Sequence, residues 1–222
     1  MIVAIDGPAA AGKSTVARQV AVRIGATYLD SGAIYRAVTW AALARGVDLD
    51  DPRACGDLAE TLEIRLAPGD PHVLVSVDGR DVTREVRASD VSESVSRVAA
   101  HTPVRRAVTE LSRQMMARGD WVCDGRDVGT VIVPNADVKV FLTADPARRA
   151  ERRLRDLEAS GHDHDLQRVL DDIVRRDHLD STRADSPLTR AADAVVVDSS
   201  TRDADEVVEV ILELVRTRVE AV

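Results

Sequence analysis

The sequence predicts an α/β fold in which a parallel sheet is covered on both faces by helices, and three observations carry that prediction. Short apolar runs alternate with stretches of helical spacing along most of the chain. The first run, Ile2–Asp6, leads straight into Gly7-Pro8-Ala9-Ala10-Ala11-Gly12-Lys13-Ser14-Thr15, a glycine-bounded turn before a helix. Helix starts are marked by Asp51-Pro52, Thr102-Pro103 and Asp145-Pro146, each offering an N-cap followed by proline in the first turn. The 222 residues suffice for one such domain plus a small insertion.

Taken in order, Ile2–Asp6 reads as a buried strand, and Lys13–Ile24 as a helix with Val16, Val20 and Ile24 on one side and Gly25 as its C-terminal cap. Thr27–Asp30 is a second strand, after which Ser31 opens a helix. The rhythm then breaks. Residues 62–66 and 73–77 flank a Pro/Gly/Asp-rich turn, and Asp78-Gly79 turns the chain again toward Val82. This is an antiparallel meander inserted between α/β elements. Strands follow at 121–124, 138–142 and 194–197, and a last helix from about Asp203 places Val207, Val210, Ile211, Leu214 and Val215 on one face. Between them, Arg148, Arg149, Arg152, Arg153 and Arg155 lead to a polar tip at 160–165.

The formal net charge of −8 disfavours nucleic acid or an anionic membrane as the main partner. With two Trp, two Tyr and one Phe, the chain has little stock for base-stacking platforms. The chain starts directly at the first strand, and no apolar run reaches membrane-spanning length, so a cytoplasmic location is expected. Cys55 and Cys123 stand far apart and read as small apolar residues rather than as a disulfide or metal pair. His162 and His164, alternating with Asp163 and Asp165, read as a solvated tip in preference to a metal site.

Lys13 is one of only two lysines among thirty basic residues. In a Gly-x-x-x-x-Gly-Lys-Ser loop, backbone N–H groups of residues 7–15 wrap the terminal phosphates of a nucleotide and the lysine ammonium reaches the β and γ oxygens. The chain therefore reads as binding a nucleoside triphosphate. A GTPase switch is disfavoured because no Asn-Lys-x-Asp signature exists; the other lysine is Lys139, in Val138-Lys139-Val140. Asp30-Ser31-Gly32-Ala33-Ile34-Tyr35-Arg36 puts a helix N-terminus and an arginine one turn in, suited to a second phosphate. Cys123-Asp124-Gly125-Arg126-Asp127 ends a strand, where ligands of α/β sheets bind. Asp124 is positioned either for Mg²⁺ or as a turn cap, and Arg126 either for a ligand or for an ion pair. Arg176, Asp180 and Arg183 at i, i+4, i+7 share one helical face, as a salt-bridge ladder or as guanidinium groups for a transferring phosphoryl.

At these motifs the chain resembles the bacterial cytidylate kinases. The likeness is carried by Ile5-Asp6-Gly7-Pro8 with the phosphate loop, Asp30 to Arg36, Asp124-Gly125-Arg126-Asp127-Val128-Gly129-Thr130, and Arg176-Asp177-x-x-Asp180-x-x-Arg183-x-x-Ser186-Pro187-Leu188, and it runs over essentially the whole chain. The resemblance implies a P-loop three-layer sandwich with a five-stranded parallel sheet and a short lid at about 148–168. It also implies a nucleoside-monophosphate-binding subdomain at about 31–105, whose β insertion is the meander at about 62–83, all within one domain, 1–222. It implies ATP-dependent phosphorylation of CMP and dCMP by a monomer. The alternative acceptors for such a loop are UMP, shikimate or gluconate.

By the same resemblance Ser31, Arg36 and Arg126 would grip the CMP phosphate with Arg176 nearby. Ser96, Arg105 and Asp127 would read the cytosine edge, and Asp180 would contact the ribose. Arg183 and a lid arginine such as Arg153 would meet the transferring phosphoryl beside Lys13. Mg²⁺ would sit at Ser14, partly through water, with Asp124 a further contact through water. Residues 7–15, from Gly7 to Thr15, would hold ATP.

Overall fold

The computed structural model describes residues 1–70, 72–159 and 165–220. The chain forms two compact units, one of residues 1–27 and 119–222, the other of residues 28–118.

The first unit begins with β1 (Ile2–Asp6), the phosphate loop and α1 (Lys13–Ile24). Gly25, in the left-handed region at φ 69°, caps α1 and sends its N–H back to the last turn. β2 (Thr27–Asp30) carries the chain into the second unit, and β6 (Trp121–Gly125), β7 (Val138–Thr143) and β8 (Val195–Asp198) belong to the first. The five-stranded sheet runs β2-β6-β1-β7-β8. β1 pairs in parallel with β6 on one side and β7 on the other, placing Ile5 beside Asp124 and Asp6 beside Gly125. Central strands of such a sheet are covered on both faces, and Val3, Ala4, Ile5, Val122, Cys123 and Leu142 are fully buried. Each predicted strand of this sheet is observed within one residue of its expected ends.

α6 (Pro146–Ala159) and α7 (Leu166–Thr182) pack on each other through Ala150, Val169 and Ile173. α8 (Ala204–Glu220) closes the unit. Its start is a reciprocal capping box, Asp203 accepting from the Glu206 N–H while Glu206 accepts from the Asp203 N–H. Its buried stripe is Val207, Val208, Ile211, Leu212 and Val215. Val210 and Leu214, expected on that face, lie at its half-buried margin.

The second unit contains α2 (Ser31–Ala44), α3 (Pro52–Thr61), the meander β3 (Ile64–Ala67), β4 (Leu74–Val77) and β5 (Arg80–Asp81), then α4 (Ser89–Val98) and α5 (Thr102–Met115). The meander is antiparallel in the order β3-β4-β5. A two-residue turn joins β4 to β5, and Asp78 and Gly79 both take positive φ there, 51° and 79°, the geometry that suits the right-handed twist of a hairpin. Val75 and Val77 point into a core shared with Ile34, Val38, Leu58, Val86, Val104 and Val108. Asp51 caps α3 as expected, accepting from the N–H groups of Arg53 and Ala54.

One expected cap is corrected. Thr102 is already inside α5 and His101 occupies the N-cap position, its ring nitrogen 2.8 Å from the Leu49 carbonyl instead of on the helix. The dipeptide Thr-Pro therefore sits one position further into the helix than expected, with proline at the second position, where its missing N–H is still harmless. Both cysteines are buried and free. Among the described residues no helix is long and apolar enough to cross a membrane.

Candidate active site

The phosphate loop is shaped by positions where ordinary side chains are strained or excluded. Gly7 has φ 154°, and a Cβ there would lie 2.0 Å from the Leu142 carbonyl oxygen of β7, so only glycine lets the loop leave the sheet. Gly12 takes φ 90° at the N-cap of α1, and no side chain caps that helix. Its first N–H groups are thereby left to an anion. Ala10 also has positive φ, 57°, without the glycine that would make it easy.

Lys13 is buried and its Nζ donates to the Pro8 carbonyl at 2.7 Å, folding the side chain back over the loop. Burial first, and then the nearby Arg126 charge, push its pKa down to about 7 against the pull of Asp124, Asp6 and Asp180. Ser14 donates to Asp124 Oδ2 at 3.0 Å, so a hydroxyl and a buried carboxylate meet beside the loop, brought there by the β1–β6 register. Such an all-oxygen pair suits Mg²⁺. Asp124 therefore faces the phosphate loop.

Beyond β6, Arg126 Nε donates to Asp180 Oδ2 at 2.8 Å, and Arg183 Nη1 reaches Asp180 Oδ1 at 3.2 Å. Burial disfavours both charges, but the two guanidinium groups hold the Asp180 carboxyl below its ordinary range, and Asp180 in turn raises Arg126 above its own. Arg176 is pushed down, by burial and then by Arg126, with Arg153 adding to the repulsion. Asp180 thus stands among three guanidinium groups, those of Arg126, Arg183 and Arg176. Arg183 lies just past the end of α7, in extended conformation at ψ 145°, so it does not share the helix with Arg176 and Asp180; it reaches Asp180 from the cap.

The five clustered arginines separate cleanly. Arg148 pairs with Glu151 on the surface, and Arg155 reaches the Glu151 carbonyl, also exposed. Arg152 binds Ser199 and the Ala11 carbonyl, Arg149 is buried against Ala9 and Asp177, and Arg153 is half-buried with its charge felt at Arg176. Residues 160–164, including His162, Asp163 and His164, lie outside the described residues.

On the second unit, Asp30 caps α2 by accepting the Ala33 N–H at 2.8 Å and pairs with Arg36 at 2.7 Å, beside the buried Ser31. The Nε of Arg36 is buried without a hydrogen-bond partner. Arg87, which the sequence did not flag, is pushed down by burial and then by Arg36, so two cations share that corner. Arg105 is buried, donates to the Ala99 carbonyl at 2.9 Å, and lies 5.3 Å over the Tyr35 ring. Ser96 is half-buried on α4.

Asp6, to which the sequence reading gave no role of its own, is held at the end of β1. It is buried and accepts the N–H groups of Val128 at 2.8 Å and Gly129 at 2.7 Å, tying the end of β1 to the turn that carries Asp127, itself buried. Burial pushes its pKa up to about 6 despite those two bonds. The available signal was an acid at the end of an otherwise apolar strand. Lys139, the other lysine, has a structural role: it bonds the Pro134 carbonyl and the Asp193 carboxylate.

A parallel five-stranded sheet, a phosphate loop between β1 and α1, a lysine folded over it and a Ser14–Asp124 pair at its mouth define a P-loop protein of the three-layer α/β class. A family profile described as cytidylate kinase matches residues 3–217. The cytidylate kinase of Shouchella clausii is 48% identical over 214 residues, covering 96% of this chain and 95% of its own length. That of Carboxydothermus hydrogenoformans is 46% identical, covering 97% of each. That of Geobacillus kaustophilus is 46% identical over 98% of this chain and 97% of its own. The chain belongs to the cytidylate kinase family.

Proposed function

We propose that the protein transfers the γ-phosphoryl group of ATP directly to CMP and dCMP, giving ADP with CDP or dCDP. The observation that supports this most strongly is the group of basic side chains gathered beside the phosphate loop, Lys13, Arg126, Arg176 and Arg183. Lys13 and Arg176 are each pushed down in pKa, and for both Arg126 is the second cause after burial. Such an arrangement is costly in the free protein and is relieved by multiply charged phosphates.

The acceptor phosphate has a second pKa of about 6 and is mostly dianionic at neutral pH, so no strong general base is required. Catalysis then consists of holding two anions in line and neutralising their repulsion. In this reading residues Gly7 to Thr15 bind ATP, and Lys13, Arg126, Arg176, Arg183 and Arg153 neutralise the phosphates. Ser31 and Arg36 grip the CMP phosphate, Ser96, Arg105 and Asp127 read the base, and Asp180 contacts the ribose while orienting Arg126. Mg²⁺, when bound, would neutralise charge on the donor phosphates, and Ser14, with Asp124 behind it, would hold it. Residues 31–105 would serve as the acceptor-binding subdomain with the meander as its insertion. The segment at about 148–168 would act as the lid that keeps water out. We place the enzyme in the cytoplasm as a monomer.

The test is a coupled assay of ADP release with MgATP and CMP, dCMP, UMP, AMP, GMP or shikimate as acceptor. Preference for CMP and dCMP is the expected result. Preference for another acceptor would keep the donor site and remove the base-reading roles from Arg105 and Asp127.

A further inference from the structure

Ala9 sits in the phosphate loop, yet neither of its backbone polar groups is left to the solvent. Its N–H donates to Asp177 Oδ1 at 3.3 Å and its carbonyl accepts from Arg149 Nη1 at 3.1 Å. The same Arg149 nitrogen donates to Asp177 Oδ2 at 2.5 Å, while its Nε donates to the Ala144 carbonyl at 3.0 Å. Arg149, on α6, is only 4% exposed, and Asp177 is on α7. The ion pair therefore closes a ring around a single loop residue, built from two helices that pack on each other.

The next residue shows what this ring does. Ala10 is held at φ 57°, a left-handed conformation that an alanine disfavours and a glycine adopts freely. A loop built on that conformation relaxes unless its neighbours fix it. We infer that Arg149 and Asp177 are positioning residues for nucleotide binding: clamping both polar groups of Ala9, they hold the strained loop in the form that receives the donor phosphates. Without the clamp only a fraction of molecules carries a competent loop, and apparent donor affinity falls by that fraction. The inference rests on the reading of residues 7–15 as the ATP loop and is independent of which acceptor the enzyme uses.

The experiment measures binding of MgADP and, separately, of CMP by calorimetry for Asp177→Ala, with Ala10→Gly alone and in combination. Asp177→Ala should weaken MgADP about tenfold, the scale of one left-handed alanine. It should leave CMP affinity within about twofold, since none of the clamp's bonds falls on the residues assigned to CMP. Ala10→Gly removes the cost of the left-handed conformation, because glycine populates both hands about equally. In the Asp177→Ala background it should restore most of the loss. A general structural role for the ion pair would not be rescued by a glycine in the loop. Unchanged MgADP affinity in Asp177→Ala, a parallel loss of CMP binding, or failure of Ala10→Gly to restore MgADP binding would each overturn the inference. If Asp177→Ala does not fold, Asp177→Asn keeps the shape and weakens the ion pair, and unchanged MgADP affinity there has the same meaning. Failure of wild-type protein to bind MgADP at all would overturn the loop reading itself.

Discussion

Asp6 accepts the Gly129 N–H at 2.7 Å, across 123 positions of sequence, and the same carboxylate accepts the Val128 N–H. The strand that delivers the phosphate loop and the turn that presents Asp127 are thus fixed by one buried side chain. Asp6→Asn would keep the shape but offer one acceptor oxygen to two donors, with its amide N–H₂ facing the other. Loss of about 1–3 kcal/mol of stability is expected at pH 7, from the penalty of an unmet buried donor. Urea unfolding of the two proteins measures it, and an unchanged midpoint would show that the turn holds without Asp6.

Lys13→Ala should lower turnover by about a hundredfold or more, since in the proposed reaction the ammonium acts where charge accumulates on the transferring group. A turnover like wild type in the ADP-release assay would remove Lys13 from the chemistry.

The same lysine should cost stability in a pH-dependent way. Its pKa is about 7 in the folded protein against 10.5 ordinarily, because burial and then Arg126 disfavour its charge. Between those values the unfolded chain binds more protons, so this residue makes stability rise with pH. Below about pH 7 the folded protein carries the full penalty of the buried ammonium. Lys13→Met, which removes the charge and keeps the apolar stem, should therefore stabilise the nucleotide-free enzyme. The gain should be largest at pH 6 and shrink as pH rises toward 10. Thermal melts of both proteins across that range provide the check, and a gain that grows with pH would contradict the assignment.

Much of this was legible from periodicity and punctuation. The ends of β1 and α1 and the turn at Asp78-Gly79 are written in local apolar spacing and in glycines, and the structure has them where expected. The cap of α5 was misplaced because proline is tolerated at more than one position of a first turn, and the local sequence does not choose between them. Arg153 could not be separated from Arg149 and Arg152, since all lie on one helix at compatible spacing. Their roles differ through what packs against them, Asp177 from α7, Ser199 from the end of β8 and the loop carbonyls. The bonds of Asp6 were not legible for the same reason, because its partners arrive from a distant turn.

Asp127→Ala should impair use of CMP far more than binding of ATP. Asp127 is buried in the turn that Asp6 fixes, and in the proposed reaction it bonds the base edge, a contact whose loss discriminates strongly. A rise in the KM for CMP of about tenfold or more, with the KM for ATP within about twofold, is expected. Steady-state kinetics with each substrate varied decides it; equal rises would take Asp127 out of base recognition.

Asp124 faces a similar test on the donor side. Its Oδ2 accepts from Ser14 Oγ at 3.0 Å, which orients the hydroxyl. Asp124 is buried and its carboxylate also pulls the Lys13 pKa upward, so removing its charge acts twice. The Ser14 hydroxyl faces a weaker, neutral acceptor, and the lysine loses a counter-charge. Asp124→Asn keeps an acceptor oxygen and so separates the two effects from loss of fold. Outer partners of metal ligands commonly cost tenfold or more in metal affinity when altered. Titration of activity with Mg²⁺ at fixed ATP should therefore show the half-maximal concentration rising about tenfold, with most of the turnover recovered at saturating Mg²⁺. A titration that overlays wild type, with turnover merely reduced, would assign Asp124 to holding Lys13 alone.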